Sequence, residues 1–182
     1  MKHLVRIFVA MWLCLLSVEA AGQRIAVKAN ALSWLVTSPD IGAELVIGEK
    51  TSIGLSVFGQ PFWKDYSFVA VQPEFRYWFN GRPLTRAYVG VSSFFTSYNM
   101  HMNLASRYHE GDGLAMGLSG GYVFNLGRRW GFEISGGTAL FLYRQKSYSE
   151  ADKANGVTSQ PLEWGYSIIP SKLAATFIFI IE

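Results

Sequence analysis

From Arg24 onward, apolar residues alternate with polar or small ones in one short run after another. A strand turns successive side chains to opposite faces, so this period of two predicts strands whose two faces differ. Ile41, Ala43, Leu45 and Ile47 stand against Gly42, Glu44 and Val46, and Ile53, Leu55 and Val57 stand against Gly54, Ser56 and Phe58. Val69, Val71, Phe75 and Tyr77 oppose Ala70, Gln72, Glu74, Arg76 and Trp78. Leu114, Met116, Leu118 and Tyr122 oppose Ala115, Gly117, Ser119 and Gly121, while Phe132, Ile134 and Leu140 oppose Glu133, Ser135 and Ala139. A first strand from Arg24 to Leu35, a fifth from Arg86 to Tyr98 and a last from Ser171 to Ile181 bring the count to eight.

One face of each run is greasy and the other small, polar or charged, and most runs approach the 9 to 11 residues that a tilted transmembrane strand needs. The connections alternate too. Gly48 to Lys50, Asn80 to Thr85 and Gly127 to Arg129 read as tight turns, whereas Gly59 to Ser67, Asn99 to Asp112 and Arg144 to Gly165 are longer and more polar. The pattern predicts an all-β fold, an eight-stranded antiparallel up-and-down transmembrane β-barrel with short turns on one side and long loops on the other. Aromatic residues near the long loops (Trp63, Tyr66, Phe68, Tyr98, Tyr143, Trp164, Tyr166) and near the turns (Trp78, Phe79, Tyr88, Phe124, Trp130) are expected to form two interfacial girdles. Pro73 lacks a ladder N–H, so a bulge is expected there. The soluble competitor is a periplasmic lipocalin-like barrel, with apolar side chains inside around a ligand. Leu173 to Ile181 argues against it, because that run offers almost no polar exterior.

The N-terminus adds a compartment. Lys2 and Arg6 precede an apolar run from Ile7 to Leu16, followed by the small residues Ala20 and Ala21. This is the layout of a signal peptide, expected as residues 1–20, and it leaves 21–182 as a single barrel domain in the bacterial outer membrane. The run is too short for a membrane helix. The one cysteine, Cys14, falls inside it and follows Leu13, where a lipoprotein signal wants a small residue. A mature chain then has no disulfide, no thiolate metal site and no cysteine nucleophile. Losing Lys2, Arg6 and Glu19 leaves 14 basic and 12 acidic residues, a balance that points away from nucleic acid.

Among chemistry-bearing residues, the inward face matters most. Lys28, Arg76 and Lys172 share it with Glu44, Glu74 and Glu133. Three charges against three is what a desolvated interior requires, and an eight-stranded lumen is just wide enough to be filled by its own side chains. A plugged lumen is therefore expected, although charges that merely hydrate a narrow lumen, or a small-solute channel, remain open. Gly117 to Gly121 matches G-x-S-x-G, but a strand is expected to continue through it, and His3, His101 and His109 all precede Ser119. His101, Ser106, His109, Glu110 and Asp112 could serve a lipid acyltransferase or deacylase at an outer rim, or the two histidines with Asp112 a metal; their spacing fixes neither. No catalytic residue, metal site or cofactor is assigned.

Lys28-Ala29-Asn30, Gln72-Pro73-Glu74-Phe75-Arg76-Tyr77-Trp78, Gly127-Arg128-Arg129-Trp130 and Pro170-Ser171-Lys172 carry a family resemblance. The chain resembles a family of uncharacterised outer-membrane proteins, a domain of unknown function of the 3575 type. That resemblance implies an eight-stranded barrel, often encoded near fimbria components, with no activity assigned. Its members often carry cysteines in the last outer loop, and this chain has none there. The expectation is a non-enzymatic surface scaffold or interaction protein. Its partners would be outer-membrane lipid, the barrel-insertion machinery and a surface or fimbrial protein met through Arg144 to Gly165, where Lys146, Glu150, Asp152 and Lys153 lie between Tyr148 and Trp164 or beside them.

Overall fold

The computed structural model describes residues 24–60, 66–102, 107–149 and 162–181. The signal segment, Trp63, Ser106 and most of the last connection lie outside the described residues. Eight strands run up and down: β1 (Ile25–Asn30), β2 (Asp40–Val46), β3 (Thr51–Gln60), β4 (Tyr66–Trp78), β5 (Arg86–Met102), β6 (Arg107–Asn125), β7 (Trp130–Ser149) and β8 (Glu163–Ile181). Each pairs antiparallel with the next, and β8 pairs back onto β1, so a single sheet closes in a ring. Residues 47–50, 79–85 and 126–129 connect strands at one end, called here the turn end.

The first strand is shorter than the alternation predicts. The Asn30 side chain accepts a hydrogen bond from the Leu32 amide at 3.2 Å, and the Ser33 hydroxyl donates to the Asn30 carbonyl at 2.8 Å. Asparagine in this role starts helices. Ala31–Leu35 accordingly forms a short helix, α1, in place of the last part of the expected strand.

At the other side of the ring the strands are longer than expected. β5 to β8 have 17, 19, 20 and 19 residues, against 6 and 7 for β1 and β2. The segment expected as the loop Asn99 to Asp112 is largely ladder, with Asn99 opposite Glu110 and Met100 opposite His109. Arg144 likewise pairs with Trp164. β1 covers β8 only as far as the Asn30–Thr176 pair. Toward the far end, therefore, β4 to β8 rise as a tall wall without β1 and β2. There the interval between β3 and β8 is taken by α1 and the residues after it. α1 packs against β8, and the chain after it is tied to the end of β3, where Ser38 Oγ donates to the Gly59 carbonyl at 3.1 Å.

No bulge forms at Pro73. Val71 opposes Phe95 and Glu74 opposes Ser92 in one continuous register, and only the pairs between them lapse. The shift falls instead between β7 and β8, where Gly137 opposes Lys172 but Thr138 opposes Pro170. Ser171 is the extra residue. One added residue reverses which side of a strand faces inward, so Ile169 and Lys172, at opposite parities, both reach the interior.

The two faces differ sharply in exposure. Leu55, Leu118, Ile134, Ile168 and Phe177 lie on the outside, Leu118 at 67% and Ile168 at 78% exposed, while Arg76 is 4% and Glu133 1% exposed inside. At the turn end the interior is sealed by Ala26, Trp78, Leu84, Tyr88, Val123 and Ile178. Leu84 comes from the 79–85 connection, which folds back into the ring. Its positive φ of 65° is a strained conformation for leucine, held by complete burial of the side chain.

Candidate functional site

Above that apolar seal, all eight strands send a polar side chain into one layer. Lys28 comes from β1, Glu44 from β2, Ser52 from β3, Glu74 and Arg76 from β4, Tyr88 from β5, Ser119 from β6, Glu133 from β7 and Lys172 from β8. The period of two puts Glu74, Arg76 and Trp78 on one face of β4, and gives Lys172 the inward parity of Ala174, Thr176 and Ile178 on β8.

Arg76 is the hub. Its Nε donates to Glu74 Oε2 at 2.8 Å and its Nη2 to the same oxygen at 2.5 Å. Its Nη1 donates to Glu44 Oε2 and to Glu133 Oε2, each at 2.9 Å. The guanidinium carbon sits 4.3 Å from the centre of the Tyr88 ring. Only arginine offers a planar fork that can serve three carboxylates and stack on an aromatic face together.

The remaining valences are met around it. Lys28 Nζ donates to Glu133 Oε2 at 2.8 Å and pairs with Glu44, and Lys172 Nζ donates to Glu74 Oε2 at 2.7 Å. Ser52 Oγ donates to Glu44 Oε1 at 2.5 Å and itself accepts from Trp78 Nε1 at 2.8 Å. Tyr88 OH donates to Glu133 Oε1 at 2.6 Å, and Ser119 Oγ donates to Glu74 Oε1. Each oxygen of the three carboxylates thus has at least one donor. Charge sums to zero over the six ionised groups, which is the condition for burying them. Chemically the layer is a spent network: its donors and acceptors are committed to one another, and it crosses the whole lumen.

The structure brings together all six of Lys28, Glu44, Glu74, Arg76, Glu133 and Lys172. Sequence reasoning missed Ser52, Trp78, Tyr88 and Ser119 as members. Trp78 and Tyr88 were expected in the girdle near the turns, yet they are 0% and 2% exposed inside. The signal was present, since Trp78 has the parity of Glu74 and Arg76. Phe68, Tyr98 and Tyr143, expected in the other girdle, line an interior cavity. Phe79, Phe124, Trp130, Trp164 and Tyr166 are exposed on the outside.

Ser119 stands in mid-strand in β6, not at a strand-to-helix turn, and its hydroxyl is engaged by Glu74. His101 and His109 belong to β5 and β6, not to a loop, and each opposes another residue, Tyr108 and Met100 respectively. Asp112 pairs with Arg144 at 3.4 Å on the exposed surface. Among the described residues no group of three or more His, Cys, Asp or Glu side chains could hold a metal ion.

The family model described as "Protein of unknown function (DUF3575)" matches residues 7–181, nearly the whole chain. No curated protein matches it.

Proposed function

Since the chain belongs to that family of unknown function, we propose from its geometry that it is an outer-membrane β-barrel with a plugged lumen, a non-enzymatic surface scaffold that presents its far end to a partner. The observation that carries this reading is the belt of exposed apolar side chains around a ring whose buried charges all point inward. A soluble protein seldom exposes an apolar patch above a few hundred Å². Here the belt includes Ile41, Leu55, Val71, Phe75, Val91, Leu118, Ile134 and Phe177, on seven different strands. A lipocalin-type barrel has the opposite distribution.

The height of the belt agrees with a bilayer. On β7 the outward positions are uncharged from Trp130 to Leu142, and Arg144 follows. At ~3.3 Å per residue this is roughly 40 Å along the strand. Inclined by about 40°, as barrel strands are, it covers roughly 30 Å of depth, the thickness of the hydrocarbon core. Above it the outer surface turns polar with Asn99, Glu110, Asp112 and Arg144, while Trp164 and Tyr166 stand at the boundary. No helix among the described residues is long and apolar enough to cross a membrane, so strands would do the crossing.

A lumen crossed by the Arg76 layer and sealed by Trp78 and Leu84 favours a plug over a channel. Planar bilayers containing the protein are expected to stay silent, and steady conductance would contradict this part. The resemblance noted in the sequence makes a fimbrial component the first partner to test, through loss of fimbria assembly in a deletion strain. Membrane residence is tested by fractionation with a heat-modifiability gel. The account expects the chain in the outer-membrane fraction, migrating differently before and after boiling; recovery in the periplasmic fraction would overturn it.

A further inference from the structure

Beyond the ionic layer the interior changes character. Phe58, Phe94 and Phe141 face one another there, Phe94 and Phe141 stacked with centroids 5.7 Å apart and Phe58 edge-on to Phe94 at 6.4 Å. They bound a cavity of about 370 Å³, within the size range of small-ligand sites. Its walls are graded. Following β5 and β7 toward the far end, Phe94 gives way to Thr96 and Tyr98, and Phe141 to Tyr143 and Gln145. Tyr98 OH donates to Gln145 Oε1 at 3.1 Å across that rim.

Phe58 on β3, itself still paired with Asp40 of β2, and Ile169 on β8, the strand α1 packs against, line the cavity from two sides. The same stretch of β8 turns Ile168 and Tyr166 outward, 78% and 77% exposed, within the height of the apolar belt. The chamber is thus apolar below and polar at its rim, and the Arg76 layer closes the interior beneath it.

We propose that this chamber binds a single-chain amphiphile, its alkyl chain among Phe58, Phe94, Phe141 and Ile169 and its small polar head at Tyr98 and Gln145. The volume suits one chain and not a two-chain lipid. The polarity gradient sets its direction, head toward the far end, because a charged head in the aromatic part would be buried without a partner. The inference rests on the membrane reading, which supplies the ligand.

The test uses the full mature chain in phosphatidylcholine nanodiscs doped with deuterated palmitate, with retained ligand counted by native mass spectrometry. One palmitate per chain is expected. Ala70→Phe, which puts a ring into the chamber from β4, is expected to lower retention at least tenfold. Phe141→Ala enlarges the chamber and is expected to shift retention toward longer chains. No retained palmitate, or retention that Ala70→Phe leaves unchanged, would overturn the proposal, the second result placing the chain on the outer belt. Heat-modifiability on the same samples separates the two readings: a chain that inserts but retains nothing overturns the chamber alone, and a chain that does not insert overturns the membrane reading and with it the source of the ligand.

Discussion

Near its turn end the sheet is a complete ring, and its interior is ionic: eight strands converge on Arg76, and the three carboxylates are fully engaged. Toward the far end five strands continue without β1 and β2, and the interior becomes aromatic and hollow. The difference teaches how such a molecule divides its labour. Closure is made where the network can tie every strand to one hub, and that half is built for rigidity. The tall wall gives up part of its closure and leaves room inside. Stability should therefore concentrate in the first region and tolerance to change in the second.

The largest effect is expected from Arg76→Met. Removing the hub leaves three buried carboxylates facing two lysines, a loss of about 3–5 kcal/mol by the usual cost of breaking a buried ion pair. Urea unfolding in lipid vesicles, followed by tryptophan fluorescence, measures it. Leu84→Ala comes next, at about 3 kcal/mol, because it empties the apolar seal under the layer. Tyr88→Phe deprives Glu133 Oε1 of its donor and is expected to cost about 1–3 kcal/mol in the same assay. In the tall wall, Arg144→Ala breaks only an exposed pair at 3.4 Å and is expected to change stability by less than about 0.5 kcal/mol. Equal losses for Arg76→Met and Arg144→Ala would erase the distinction between the two regions.

How far the sequence reveals this depends on which physical signal each feature leaves. Alternation assigns every one of the six charged residues to the inner face, because a period of two is all that assignment needs. It also assigns Trp78, whose placement in a girdle ignored its own parity. Alternation overruns at Ala31 to Leu35, where Ser33 between apolar neighbours imitates a strand and the cap at Asn30 decides for a helix. It stops short at Tyr98 and Leu114, since above the apolar belt both faces are polar and the contrast fades although the ladder continues. The bulge at Ser171 leaves no local mark as strong as Pro73, yet it brings Ile169 to the interior on the same strand as Lys172. The hub itself is not legible in spacing: Lys28 and Glu133 meet across 105 residues of chain, and only closure of the ring joins them.

The central claim is that one face of the ring meets lipid and the other does not. Single cysteines from Ala115 to Val123 on β6, spin-labelled in the protein reconstituted in vesicles, test it most directly. Even positions such as Met116, Leu118 and Tyr122 are expected to be relaxed strongly by oxygen, which concentrates in lipid, and odd positions such as Ala115, Ser119 and Val123 weakly. Equal relaxation along the strand, or strong relaxation at even positions by a water-soluble reagent, would contradict the account.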